Sequence, residues 1–245
     1  MRQIRTQRDR LNDAMLSLVL LNYCARSDGT IGDRLKVAKL MFLATHDLLS
    51  QQFKALNFSF YRYSYGPFTP ELYDTWGELS WMGFLEVPPS SRGEIKLTAS
   101  GLSAAVRYEK RLKALGNELF IQSFRQVADS YRQYDTKELL DVVYEMKVVP
   151  LGWQQPIQIR DIPAKAFLTW MLESEESLRE VRIDDELAMD FFNELERSPR
   201  PEFIDDEAYR KIYASAIKGV RAEREEGSGT VVTRLDLQKR LEGEY

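Results

Sequence analysis

Apolar residues return at positions 11, 14, 15, 18, 19 and 21, the spacing of one helix face. They predict a helix from Leu11 to Arg26, closed by the turn-forming Ser27-Asp28-Gly29. Asp33 caps a second predicted helix, Arg34 to about Leu56, with Val37, Leu40, Met41, Ala44 and Leu48 on one stripe. Aromatics at alternating positions from Asn57 to Tyr65 read as a strand, broken by Gly66-Pro67. Thr69 caps a third helix with Pro70 at its first position, running to Met82 and burying Leu72, Tyr73, Trp76 and Leu79. Phe84–Val87 and Glu94–Leu97 then read as a hairpin. Thr98 or Ser100 opens a long helix to about Leu115, which resumes after a break at Gly116 and reaches Tyr131.

The second half is helical in pattern. Asp135-Thr136 caps a helix to Met146, the segment from Val148 to Ile159 reads as a connector, and further helices are predicted over about 163–174, 184–197 and 205–225. The last carries Tyr209, Ile212, Tyr213, Ala216, Ile217 and Val220 on one stripe, with Arg210, Lys211, Lys218 and Arg221 outside it. Ser198-Pro-Arg-Pro201 is a rigid linker and Glu226-Gly-Ser-Gly229 a flexible one. Ile183-Asp-Asp-Glu186 recurs as Ile204-Asp-Asp-Glu207, and both are expected to act as helix caps rather than as a cation loop.

The order helix, helix, strand, helix, hairpin is that of a winged helix. The expected fold class is therefore mainly α (α+β): a winged-helix-like domain over 1–115 with a small hairpin as its wing, a helical domain over 116–225, and a linker and tail over 226–245.

Composition narrows the function classes. The 245 residues are 44% hydrophobic and 29% charged, ordinary globular values. No apolar run approaches the ~20 residues that span a bilayer. The N-terminal arginines lead into a stretch containing Asp9 and Asp13, so no signal peptide is expected. The single cysteine, Cys24, rules out a disulfide within the chain and fits a reducing compartment, so a soluble cytoplasmic protein is expected. Residues 1–115 hold 16 Lys+Arg against 11 Asp+Glu, and residues 116–245 hold 18 against 27, a basic front and an acidic back.

Candidate chemistry is sparse. His46 is the only histidine and Cys24 the only cysteine, so histidine–cysteine zinc sets would need more than this chain. Both His46 and Cys24 sit among apolar helix neighbours and read as packed side chains. Neither a P-loop nor a G-x-G-x-x-G phosphate loop occurs. No catalytic residue, metal ligand or cofactor is assigned; with 38 Asp+Glu in the chain, paired carboxylates by themselves discriminate nothing, and a carboxylate-dependent metal hydrolase or nuclease stays as an alternative.

The stretch Arg62-Tyr-Ser-Tyr-Gly-Pro-Phe-Thr-Pro-Glu-Leu-Tyr73 stands out, with Gly77-Glu-Leu-Ser-Trp-Met-Gly-Phe-Leu-Glu86, Lys96-Leu-Thr-Ala-Ser-Gly101 and, upstream, Lys39-Leu-Met-Phe-Leu43. With Glu138–Tyr144 further on, these segments resemble the YwgA-like and Panacea (SocA-like antitoxin) families over roughly residues 10–150. The resemblance implies a winged-helix-like fold and a non-enzymatic role in toxin–antitoxin, phage-defence or regulatory systems. It supplies no catalytic residues.

Two readings of the surface follow. For a DNA-binding transcription regulator, the phosphate footprint would comprise Arg2, Arg5, Arg8, Arg10, Arg62, Thr69, Arg92, Lys96, Arg107, Lys110 and Arg111, with Lys113 beside them. Helix three opposes this, since it carries Glu71, Asp74 and Glu78 and no cation. For a protein-binding module, Tyr61, Tyr63, Tyr65 and Phe68 with Glu71, Asp74 and Glu78 would meet a partner protein such as a toxin or defence effector. The same tyrosines also fit core packing of a half-buried strand. The 205–225 stripe would pack within the fold or join a homodimer. No membrane contact is expected.

Overall fold

Helix α1 (Gln7–Cys24) begins four residues before its apolar stripe because Thr6 and Asp9 close a capping box. A computed structural model describes residues 5–88, 93–150, 153–168 and 178–198. Over Ala14–Leu21 helix α1 is buried on every side, and it packs against four of the helices that follow. Strand β1 (Thr30–Asp33) comes next, a short element without apolar alternation. Helix α2 (Arg34–Ser50) is capped by Asp33, whose carboxylate accepts from the Lys36 N–H at 2.7 Å. It stops six residues short of the expected Leu56. Gln52 turns the chain with a φ of 63°, and β2 (Phe53–Lys54) pairs in parallel with β9 (Arg179–Glu180).

The long strand expected over 57–65 is largely absent. Asn57 N–H is taken by the Asp13 carboxylate and Ser59 N–H by Glu71, so Asn57–Phe60 runs irregularly with Phe58 and Phe60 buried. Only β3 (Tyr61–Tyr63) is a strand, and it forms a hairpin with β4 (Gly66–Phe68). Helix α3 (Glu71–Trp81) starts one residue later than expected, with Pro70 at the cap position, while the Thr69 hydroxyl still accepts from the Glu71 N–H at 3.3 Å. Its buried face is Leu72, Thr75, Trp76, Glu78 and Leu79. Tyr73, expected inside, points out.

Strands β5 (Leu85–Glu86) and β6 (Glu94–Leu97) pair antiparallel as expected, and β1 adds to β6, giving the order β1-β6-β5. Two glycines let the chain close on this sheet: a Cβ on Gly29 would stand 2.5 Å from the Leu97 carbonyl oxygen, and one on Gly101 would stand 2.2 Å from that of Phe84. Helix α4 (Ala99–Ala114) is capped by Thr98, and α5 (Glu118–Tyr131) follows the expected break at Gly116. Helix α6 (Thr136–Glu145) opens with an Asp135/Glu138 capping box. Strands β7 (Lys147–Val148) and β8 (Ile157–Gln158) pair across the connector.

The helix expected over 163–174 does not form at residues 163–168. Residues 163–166 make a turn, with Lys165 at a φ of 70° and Ala166 N–H donating to the Pro163 carbonyl, and 166–168 then run along β3, with Arg62 N–H donating to the Ala166 carbonyl and Leu168 N–H to that of Phe60. Residues 169–174 lie outside the described set. Helix α7 (Asp185–Arg197) is capped by Asp184, so the first Asp-Asp-Glu acts as a cap. The second copy, the helix expected over 205–225 and the tail lie outside the described residues.

Among the described residues the chain is mostly helical, with small sheets that are antiparallel apart from the β2–β9 pair. One apolar core extends from Leu11 on α1 to Leu195 on α7. No helix among them is long and apolar enough to cross a membrane.

Candidate interaction face

The hairpin β3–β4 and the first turns of α3 form a continuous aromatic row. Tyr63 touches Phe68 (ring centroids 5.8 Å apart), Phe68 touches Tyr73 (5.6 Å), and Tyr73 meets the buried Trp76 edge-on (5.4 Å). Tyr63, Tyr65 and Tyr73 are 54%, 65% and 44% exposed, so the row faces solvent. Tyr61 takes another course: its ring packs edge-on against Phe167 at 4.4 Å, and Tyr65 occupies the turn rather than the strand. The turn needs a residue in the left-handed region, which Gly66 supplies at φ 82°.

The row is held from beneath. Lys39 on α2 is buried and donates from Nζ to the Pro67 carbonyl at 2.5 Å. Burial, reinforced by the neighbouring Arg62 charge, pushes the Lys39 ammonium down to about 7. Tyr144 on α6 donates to the Ser64 carbonyl at 3.3 Å, and Arg62 lies 5.4 Å over the Tyr144 ring while donating to the carbonyls of Ile159 and Tyr63. Arg34 at the start of α2 sits 5.8 Å from the Tyr73 ring and donates to the Pro88 carbonyl at 2.5 Å. The hairpin is therefore ordered before any partner arrives, which lowers the entropy cost of binding.

The acidic residues assigned to this face divide. Glu71 accepts from Ser59 N–H and the Thr69 hydroxyl, fixing the start of α3. Glu78 is buried under Arg10 at 2.8 Å, and burial holds its carboxyl above the usual range. Asp74 lies half-buried on the outer side of α3.

The basic footprint is not brought together as an open surface. Arg5 is buried and paired with Asp13 at 2.7 Å. Arg8 pairs with Asp185 and donates to the Ile183 carbonyl, Arg107 pairs with Glu194, and Arg111 pairs with Asp190 and Glu186. Three cations of the footprint are thus met by the acidic helix α7, whose apolar side (Leu187, Phe191, Phe192, Leu195) is buried and stacks Phe191 on Tyr108. Lys113 binds Glu109 at 2.5 Å, Lys96 lies half-buried in β6, Thr69 is buried, and Lys110 is exposed. Arg2 and Arg92 fall outside the described residues.

Cys24 is buried, and burial pushes its thiol up to about 12. His46 is partly exposed, its Nδ1 3.2 Å from Asp47. Among the described residues no group of three or more His, Cys, Asp or Glu side chains is arranged to hold a metal ion. The features that sequence reasoning missed are Tyr73, which lies one position off the buried stripe of α3, and the supports Lys39 and Arg34. Only the helix register could have signalled them.

No family model, curated protein or solved structure matches the chain.

Proposed function

We propose that this chain is a cytoplasmic, non-enzymatic binding protein of the antitoxin or regulator type, which grips a partner protein through the aromatic face of β3–β4 and α3. One observation carries the reading: Tyr63 and Tyr65 on a hairpin braced from below, and Tyr73 beside them on α3, stand open to solvent. Tyrosines of this kind supply large contact area at little conformational cost, and they anchor interfaces. The element order α1, β1, α2, α3, β5, β6 with the sheet order β1-β6-β5 supports a winged-helix-like front, with β5–β6 as the wing and β3–β4 inserted ahead of α3. The segment that resembles the Panacea group, Arg62 to Tyr73, is this same hairpin and helix start.

Dedicated DNA binding is the weaker reading. Helix α3 carries no cation to meet phosphate, and Arg8, Arg107 and Arg111 are already paired within the chain. The experiment places a photoreactive phenylalanine analogue at position 65 in cells. A discrete cross-linked protein is expected, lost in the Tyr63→Ser/Tyr73→Ser background. In parallel, duplex DNA is titrated from about 50 to 200 mM salt, where a phosphate binder loses affinity steeply. No cross-linked protein, together with tight salt-sensitive duplex binding, overturns the proposal.

A further inference from the structure

A cleft opens between the first turns of α1, strand β2 with the residues after it, and strand β9 with the residues after it. It encloses about 90 Å³, and its polar lining is Asp9, Asn12, Lys54, Asn57 and Glu180. At ~30 Å³ for a liquid water this is room for about three waters, or for one solute the size of glycine or alanine. None of these residues belongs to the aromatic face.

The hydrogen bonds of the lining leave oxygens over. Asn12 Oδ1 is buried and receives no donor among the described residues, whereas a buried acceptor is paired as a rule. Asp9 stands three positions back, on the same side of α1. It spends Oδ2 on the Thr6 N–H at 2.8 Å, while its Oδ1 receives no hydrogen bond among the described residues. Asn57 donates from its backbone N–H and its side-chain Nδ2 to Asp13 Oδ1, at 2.8 and 3.1 Å, and its own side-chain oxygen receives none among the described residues. A protonated amine carries three N–H donors, one for each of these oxygens.

The charges lining the cleft are mixed. Lys54, its side chain 15% exposed, holds its ammonium 3.8 Å from the Glu180 carboxylate, which is 75% exposed. That separation is too long for a direct hydrogen bond. The Lys54 charge disfavours a bare cation, and Asp9 with Glu180 disfavours a bare anion. A solute that carries both signs meets the two.

We infer that this cleft binds a small zwitterion, an α-amino acid whose ammonium is held by the side-chain oxygens of Asp9, Asn12 and Asn57 and whose carboxylate faces Lys54.

The test titrates the purified full-length chain with L-alanine by calorimetry, with methylamine and acetate as separate probes that carry one charge each. Alanine should bind saturably with a Kd on the order of 1 mM or tighter, and each half at least about tenfold more weakly. Asn12→Leu removes an acceptor that lacks a donor, so it should keep the unfolding midpoint while weakening alanine by at least about tenfold. Lys54→Met should weaken alanine and leave methylamine unchanged, which separates a lost carboxylate contact from a disturbed cleft. No saturation by about 10 mM alanine, equal affinity for methylamine or acetate, or undiminished binding by both variants overturns the assignment. Because the cleft and the aromatic face share no residue, these outcomes are independent of the partner reading.

Discussion

Replacing Lys39 by methionine changes the pH dependence of stability in a way that can be worked out from its surroundings. The ammonium sits under β4 with its titration pushed from 10.5 to about 7 by burial and by Arg62. The unfolded chain protonates this amine up to its ordinary value, whereas the folded chain favours the neutral form above about 7. Between about 7 and 10.5 the unfolded state therefore binds more protons, and stability rises with pH. Below about 7 both states carry the charge, and the full cost of burying it applies. The shift corresponds to an upper bound of about 5 kcal/mol. Lys39→Met removes the titration and leaves the Pro67 carbonyl without this donor, a loss of about 1–3 kcal/mol. Urea unfolding of both proteins at intervals from pH 6 to 10 gives the difference directly, since the other ionisable groups are common to both. The Lys39→Met variant should be the more stable form at pH 6, with its advantage shrinking by several kcal/mol and reversing toward pH 10. A stability difference that stays constant over this range would refute the argument.

Asp13→Ala leaves the Arg5 guanidinium buried without its carboxylate and Asn57 without its acceptor, and should cost about 3–5 kcal/mol in chemical unfolding. Gly101→Ala drives a methyl group into the Phe84 carbonyl, so it should lower the unfolding midpoint by the equivalent of at least about 2 kcal/mol, although alanine is the better helix former. Neutralising the α7 seam with Glu186→Gln, Asp190→Asn and Glu194→Gln releases Arg107 and Arg111. Duplex titrations of that variant should show a salt slope steeper than the parent by about 2, one unit for each freed phosphate contact.

The helices were readable where cap and stripe agree. Asp33, Thr98 and Asp135 each sit before an apolar periodicity, and each caps a helix. What escaped the sequence depends on distant partners. Strand β1 has too few residues to alternate, and it exists because β6, more than sixty positions on, offers it a ladder. Asn57–Phe60 alternates like a strand, but side chains of Asp13 and Glu71 take the N–H groups that a ladder would use. The extended course of 166–168 is set by β3, which these residues flank. At the candidate face, Tyr63, Tyr65 and Phe68 were legible as aromatics of a turn-broken strand. The outward turn of Tyr73 was not, because one residue of helix phase separates it from the buried row. The apparent basic footprint dissolved for the same long-range reason: no local pattern announces that α7 folds back onto Arg107 and Arg111.

Helix α7 also changes how the basic front competes for anions. Its carboxylates are tethered to the chain, and a tethered group acts at an effective concentration of roughly millimolar or more. A free phosphate or a stray nucleic-acid strand at micromolar levels is outcompeted by a counter-ion that cannot diffuse away. Of the cations in the first 115 residues, Arg8, Arg107 and Arg111 are thereby the three whose charge a tethered counter-ion on α7 already meets.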